Sequence, residues 1–184
     1  MPYDPDLHHR RSVRLRGYDY TRTGAYFVTI CAHGRECLFG EMRANVMHLG
    51  PLGEIATAAW QDIPRHFPAV EIDAMVVMPN HLHGIIMLAE TNLGAKHFPL
   101  ENASPLQQTG NPRGTHPGSL AAIIQNYKSI AARKINAVRG APGARVWQRN
   151  YYEHIVRDEA DLRRIREYVE HNPATWAKDP LFGP

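Results

Sequence analysis

The sequence predicts an α+β fold in which helices pack on an antiparallel sheet, with a ferredoxin-like or RRM-like topology. One observation is a pair of strand-like segments, 70–78 and 81–88, joined by the turn dipeptide Pro79-Asn80. Another is the pair of long amphipathic helical segments in the second half of the chain. The third is the size of the chain, because 184 residues with 43% hydrophobic and 21% charged content suit one globular domain.

Length and composition exclude several classes of protein. The chain is short for a TIM barrel, which needs about 250 residues. It contains no run of about 20 apolar residues that could span a bilayer, and its start has no apolar stretch typical of a secretory signal. The two cysteines, Cys31 and Cys37, are too few for a disulfide framework or a four-cysteine zinc site, and we interpret both as structural. We therefore expect a reduced, cytoplasmic protein.

The first half of the chain alternates strands with one helix. Residues 25–32 are β-branched and aromatic and are flanked by glycines, which indicates a buried strand. An extended piece at 37–39 is expected to continue near 45–49. A helix is predicted from Gly50 because apolar residues then recur on one face, and Pro51 suits its first turn.

The second half begins with residues 89–118, which are rich in Gly, Pro, Asn, Thr and Gln and show no period. This segment is either a lid or disordered. It is followed by a helix at 119–138, a strand at 146–156 and a helix at 158–172. The predicted N-cap residues of the two helices are Ser119 and Asp158.

Basic residues are concentrated at the two ends of the chain. Residues 1–24 form a basic arm with five arginines, residues 25–176 form the single domain, and 177–184 form a tail. Between 125 and 170 there are ten further Lys and Arg residues. Arginine offers a planar fork that suits phosphate oxygens, so the charge pattern favours a nucleic-acid partner, although a solvated basic face is the alternative.

The segment His81-Leu82-His83 is the first candidate for chemistry. Side chains at i and i+2 share one face of a strand, so both imidazoles project together while Leu82 points to the core. Such a pair can hold a divalent cation and leave positions open for substrate oxygens. The alternative interpretation is two solvent-facing histidines on a half-buried strand.

Tyr127 is the second candidate. A tyrosine hydroxyl can act as a covalent nucleophile, and the neighbours of Tyr127 on the helix are polar. The alternative is that Tyr127 belongs to the apolar stripe of its helix and is part of the core.

Four blocks of sequence resemble one family in the right order. They are RRSVRLRGYDYTRTGAYFVTICAHGRECLFGEM, MVVMPNHLHGIIML, IIQNYKS and VWQRNYYEHIVRDEADLRRIREYVEHNP. They resemble the IS200-like single-tyrosine (Y1, HUH) transposases, in particular the REP-associated tyrosine transposases, over about residues 10–176. The resemblance implies an HUH fold.

The resemblance also implies roles for individual residues. His81 and His83 are expected to bind Mg²⁺ or Mn²⁺, and Tyr127 is expected to attack a DNA phosphodiester. That attack gives a 5′-phosphotyrosine and a free 3′-OH, and its reversal rejoins strands without ATP. Related enzymes often supply a Gln ligand four residues after the tyrosine, where this chain has Ala131.

The expected partner is single-stranded DNA at the foot of an imperfect, REP-like palindromic hairpin. Single strands bind through basic grooves and aromatic stacking. The candidate DNA contacts are Arg10, Arg11, Arg14, Arg16, Lys128, Arg149 and Asn150.

Two other functions stay open. One is a non-catalytic hairpin-binding protein on the same fold, which Ala131 favours. The other is a rolling-circle or relaxase-like nicking protein, although the single tyrosine on the predicted helix is more typical of a transposase. The sequence is compatible with a monomer or a homodimer and with no membrane partner.

Overall fold

The computed structural model describes residues 19–89, 116–179 and 181 of the chain. Its strands are β1 (Gly24–Cys31), β2 (Gly40–Arg43), β3 (Val46–Leu49), β4 (Val70–Met78), β5 (His81–Leu88) and β6 (Tyr152–Ile155). Its α-helices are α1 (Pro51–Gln61), α2 (Ile63–His66), α3 (Leu120–Arg139) and α4 (Glu159–His171). Two 3₁₀ helices cover His33–Arg35 and Pro173–Lys178.

The main sheet has the strand order β4-β5-β1-β6, and each neighbouring pair is antiparallel. With α1 between β1 and β4 and α3 between β5 and β6, the connectivity is the β-α-β-β-α-β arrangement of ferredoxin-like proteins. This confirms the predicted fold class. Strands β2 and β3 form a separate two-stranded ribbon.

Helices α1 and α3 cover one face of the sheet. The core there contains Val28, Leu82 and Ile86 from the strands and Trp60 and Ile123 from the helices. Gly84 lets α1 pack close to the sheet, because a Cβ added at this position would lie 2.4 Å from the Trp60 ring.

Helix α4 covers part of the opposite face. Its apolar stripe, Leu162, Ile165 and Val169, packs with Phe27 and Ile85 in a second core. The sequence predicted helices on one side of the sheet, so the placement of α4 is a correction. This second face carries His81 and His83, since they alternate with the residues that face α1 and α3.

Helix limits agree well with the predictions, whereas one predicted strand is shorter than expected and one extended piece is not a strand. Ser119 accepts a hydrogen bond from the Ala122 N–H and caps α3, as predicted, and Asp158 accepts one from the Asp161 N–H and caps α4. Within the strand predicted at 146–156, the structure has only the short strand β6. The carbonyls of residues 148–150 face Lys128 and do not pair with a neighbouring strand.

The other correction concerns residues 37–39, which precede the β2–β3 ribbon rather than forming a strand. None of the helices within the described ranges combines the length and the apolar character that crossing a bilayer requires. Residues 90–115, which make up most of the predicted lid or disordered segment, lie outside the described residues.

Candidate active site

His81 and His83 lie side by side at the start of β5. Both side chains are buried, and their Nε2 atoms are 3.0 Å apart. The Nδ1 of His81 is 2.8 Å from Asn80 Oδ1, and the Nδ1 of His83 is 2.8 Å from Thr29 Oγ1. Because each Nδ1 has its own partner, both rings are oriented with Nε2 toward a shared point, as in histidines that ligate metals.

Burial keeps both imidazoles neutral. It lowers the pKa of His81 to about 4, against the opposing effect of the Asp179 carboxylate. Burial and then the charge of His81 lower the pKa of His83 to about 3. Neutral imidazole is the form that coordinates a cation, so the pair is in the right protonation state near neutral pH.

Asp179 brings a carboxylate to the histidine pair. The 3₁₀ helix Pro173–Lys178 follows α4 and returns the chain to the start of β5. Asp179 Oδ2 lies 3.9 Å from His81 Nε2, and the ligand atoms of His81, His83 and Asp179 all lie within 4.8 Å of one another. Two imidazoles and a carboxylate form a donor set suited to a divalent cation.

Asn172 adds an oxygen at the end of α4. Its Nδ2 donates to Asp179 Oδ2 at 3.3 Å, whereas its buried Oδ1 has no hydrogen-bond partner within the described residues. A buried, unsatisfied carbonyl oxygen is costly unless it has a further partner, and a cation supplies one. The site therefore fits the divalent metal that the resemblance implies.

The Tyr168 side chain lies next to the histidine pair and contacts His83. It belongs to α4, its hydroxyl is 3.3 Å from His83 Nε2, and its ring contacts the His83 ring edge-on. Tyr168 is 44% exposed, so its hydroxyl can meet a substrate. Burial and then the Asp179 charge raise the pKa of Tyr168, although a hydrogen bond with Asn172 acts in the other direction.

Tyr127 lies on the opposite face of the sheet, and the structure corrects its predicted role. The residue is 1% exposed, its hydroxyl donates to the Ala56 carbonyl at 3.3 Å, and its ring packs against Trp60 and Trp147. Burial raises its pKa well above the ordinary value. Because the sheet separates Tyr127 from the histidines, it cannot attack a phosphate held beside them.

A signal for Tyr168 was present in the sequence. The resemblance implies that a Gln often stands four residues after the nucleophile, and Asn172, which is also an amide, follows Tyr168 by four residues. Measured from Tyr127, the same position is Ala131, which is fully buried in the core. Tyr168 also fits the apolar stripe of its helix, and that pattern by itself predicts a core position.

The predicted DNA contacts have different outcomes. Lys128 Nζ donates to the carbonyls of Gln148 and Asn150, at 3.0 Å each, and lies over the Tyr151 ring. It therefore helps to hold this segment in place, and its assignment as a DNA contact stays a prediction. Arg149 and Asn150 are exposed on the same segment and stay predictions. The four predicted contacts of the N-terminal arm lie outside the described residues.

A cavity of about 690 Å³ opens beside the histidines. Its lining includes His83 and Tyr168 on one side and Tyr152 and His154 of β6 on the other. The rings of Tyr152 and Tyr168 both stand edge-on to the ring of Phe27, at 6.3 and 5.9 Å. An aromatic cavity next to a metal-binding donor set can hold part of a nucleic-acid strand.

Comparisons with known proteins identify relatives of the chain. No protein-family profile matches the chain. An uncharacterised Haemophilus influenzae protein is 42% identical over 184 residues, covering 98% of this chain and 97% of that protein. A second Haemophilus influenzae protein, whose name assigns it to the REP-associated tyrosine transposases, is 24% identical over 155 residues, covering 84% of this chain and 73% of that protein.

A solved structure has a similar fold. The structure of a REP-associated tyrosine transposase bound to a REP hairpin matches with a TM-score of 0.55 and 21% identity, covering 88% of this chain and 73% of the other. The chain therefore belongs to the family of the 42% identical Haemophilus influenzae protein and is a relative of the REP-associated tyrosine transposases.

Proposed function

We propose that the protein is a metal-dependent tyrosine transposase that cleaves single-stranded DNA at a hairpin and rejoins it through a phosphotyrosine link to Tyr168. The observation that carries the proposal is the 3.3 Å distance between the Tyr168 hydroxyl and His83 Nε2, at the centre of the donor set. A nucleophile has to come within about 3–3.5 Å of the phosphorus it attacks, so it must lie beside the groups that hold the phosphate.

His81, His83 and Asp179 would hold the metal, with Asn172 Oδ1 as a further oxygen. Bound there, Mg²⁺ or Mn²⁺ supplies charge neutralisation for the phosphate oxygens. Tyr168 then forms the new bond to phosphorus, the 3′ oxygen of the DNA leaves, and the phenol proton passes to water. The covalent link retains the energy of the phosphodiester, so a later 3′-OH can reverse the step without ATP.

Hairpin DNA is the proposed substrate for two reasons. The related structure is bound to a REP hairpin. The basic residues of this chain are concentrated toward its two ends, which suits contact with phosphates. The alternative of a non-catalytic binder rested on Ala131 and loses that support, because Asn172 occupies the equivalent position relative to Tyr168.

The test is incubation of the protein with end-labelled hairpin oligonucleotides and Mn²⁺, followed by denaturing gels that detect a covalent adduct. We expect an SDS-resistant adduct with wild type and Tyr127→Phe, no adduct with Tyr168→Phe, and none in EDTA. Tyr127→Phe is the matched control, since it removes the same hydroxyl from the other face of the sheet. An adduct that persists in Tyr168→Phe but disappears in Tyr127→Phe would contradict the proposal.

A further inference from the structure

A second histidine lines the cavity, and a carboxylate orients it. His154 of β6 has its Nε2 2.8 Å from Asp161 Oδ2 at the start of α4. Asp161 also accepts from the Arg157 N–H at 3.2 Å and pairs with Arg164. A histidine oriented by a carboxylate in this way is a common arrangement for a proton-transfer group.

His154 lies on the same face of the sheet as the metal-binding histidines. It is directly opposite Phe27 in the β1–β6 pair, and Thr29, two residues along β1, is directly opposite His83. Strands are spaced by about 4.8 Å, so β6 is about 10 Å from β5. The Tyr168 ring lies 5.9 Å from the Phe27 ring, so Tyr168 and His154 flank Phe27 within one cavity.

Few side chains of this cavity can exchange a proton near neutral pH. Besides Tyr168 and the metal-binding groups, its described titratable lining consists of Cys31, Tyr151, Tyr152, His154 and Arg164. Tyrosine and arginine titrate far above neutral pH, and burial raises the pKa of Cys31. Among these described side chains His154 is the imidazole, and an imidazole has one ring nitrogen that can donate a proton and another that can accept one.

The proposed cleavage leaves one proton unassigned. In an in-line displacement the leaving oxygen is on the side of phosphorus away from Tyr168, and it departs as an alkoxide unless a proton reaches it. The cavity extends from Tyr168 across Phe27 to His154, so a strand held in it with its phosphate in line with Tyr168 would have its leaving oxygen on the β6 side.

Building on the proposed function, we propose that His154 is the general acid that protonates the leaving 3′ oxygen. The Tyr168 Oη–P bond forms and the P–O3′ bond breaks, with its electron pair going to the 3′ oxygen. That oxygen takes a proton from the His154 imidazolium, while the phenol proton passes to water. In the rejoining step His154 takes the proton from the attacking 3′-OH.

Asp161 is the positioning residue for this transfer. Its hydrogen bond holds the ring through Nε2 and leaves Nδ1 as the nitrogen that exchanges the proton. Within the part of the chain that the structure describes, no other hydrogen bond to the His154 ring is found.

The test compares two leaving groups in hairpin oligonucleotides that carry the cleavage position of the wild-type protein. One substrate has the normal 3′ oxygen, and the other has sulfur in its place as a bridging 3′-phosphorothiolate. A thiolate leaves without protonation, so loss of a general acid affects only the oxygen substrate. We expect His154→Ala and His154→Gln to slow cleavage of the oxygen substrate by about 100-fold or more. Cleavage of the sulfur substrate should stay within about threefold of wild type, since general acid–base catalysis no longer contributes to it.

The control variant is His66→Gln. His66 also pairs with an aspartate, Asp62, at 3.4 Å, but it lies on α2, away from the cavity. We expect this variant to cleave both substrates at the wild-type rate.

The ratio of the two rates separates the possible outcomes. If part of a variant is misfolded, the cleavage rates of the oxygen and sulfur substrates fall equally, and the ratio of these two rates is unchanged. An equal loss on both substrates in both His154 variants would overturn the role of His154, while the wild-type adduct would still support the proposed function. If the wild type forms no adduct with either substrate, the proposed function itself fails.

Discussion

At the scale of single residues, Asp179 defines the candidate metal centre as much as the histidines do. His81 and His83 could be predicted from the sequence because an i, i+2 spacing on a strand places two side chains on one face. Asp179 could not, since it reaches the site through the turn after α4, and no local pattern links it to β5.

The contribution of Asp179 can be measured by metal binding alone. Asp179→Asn keeps the size of the side chain but removes the negative charge from the donor set, so the affinity for Mn²⁺ should fall by about tenfold or more. Electron paramagnetic resonance of free Mn²⁺ measures this without any DNA. The control is Asp62→Asn, at the junction of α1 and α2, for which we expect no change. Equal Mn²⁺ affinity in Asp179→Asn and wild type would exclude Asp179 as a ligand.

At the scale of secondary-structure elements, chain connectivity explains why the sequence indicated the wrong helix. β1 and β4 are parallel to each other, as are β5 and β6, because each pair has one antiparallel strand between them. Crossovers between parallel strands are right-handed, which places α1 and α3 on the same face. Helix α4 follows the last strand, so this rule does not fix its face.

Helices α3 and α4 each have a tyrosine within or beside their apolar stripe. An apolar stripe in the sequence does not indicate which face of the sheet its helix covers. Tyr127 fills the core between Trp60 and Trp147, whereas Tyr168 lies at the edge of a helix that covers its face incompletely. The difference depends on tertiary packing, so it could be resolved only from the structure or from the spacing between Tyr168 and Asn172.

The close approach of α1 to the sheet makes a prediction for Gly84. Its substitution by alanine places a Cβ against the Trp60 ring, which is fully buried and has no room to move. We expect Gly84→Ala to lower the free energy of unfolding by about 1–3 kcal/mol, as overpacking of a core does. Urea denaturation measures the change.

A second substitution tests the cause of that loss. If the clash with Trp60 is responsible, Trp60→Leu in the Gly84→Ala background should cost less than Trp60→Leu in the wild type. Additive costs in the double variant would show that Gly84 is required for another reason. Since Gly84 and His83 are adjacent on β5 but face opposite sides, metal binding by the folded Gly84→Ala variant should be unchanged.

At the scale of the whole molecule, the two faces of the sheet have different roles. The face under α1 and α3 is a closed apolar core, and the hydroxyl of Tyr127 within it has a hydrogen-bond partner there. The face under α4 is only partly covered, and the donor set, Tyr168 and His154 all border the uncovered part. An incomplete second layer therefore creates the site, while the complete layer stabilises the fold.

The charge distribution makes the last prediction, on the salt dependence of hairpin binding. Each phosphate neutralised on a single strand contributes about −0.7 to the slope of log K against log salt concentration. Four arginines of the N-terminal arm are expected to contact phosphates, so replacing all four with glutamine should make the slope shallower by about 3. The four residues are Arg10, Arg11, Arg14 and Arg16.

Fluorescence anisotropy of a labelled hairpin in EDTA measures binding without cleavage. The matched control replaces Arg43 and Arg65, which are exposed and already paired with Glu41 and Asp62, and its slope should equal that of the wild type. An arm that contacts bases rather than phosphates would lower affinity in a sequence-dependent way and leave the slope unchanged. An unchanged slope with unchanged affinity would show that these four arginines do not bind the hairpin.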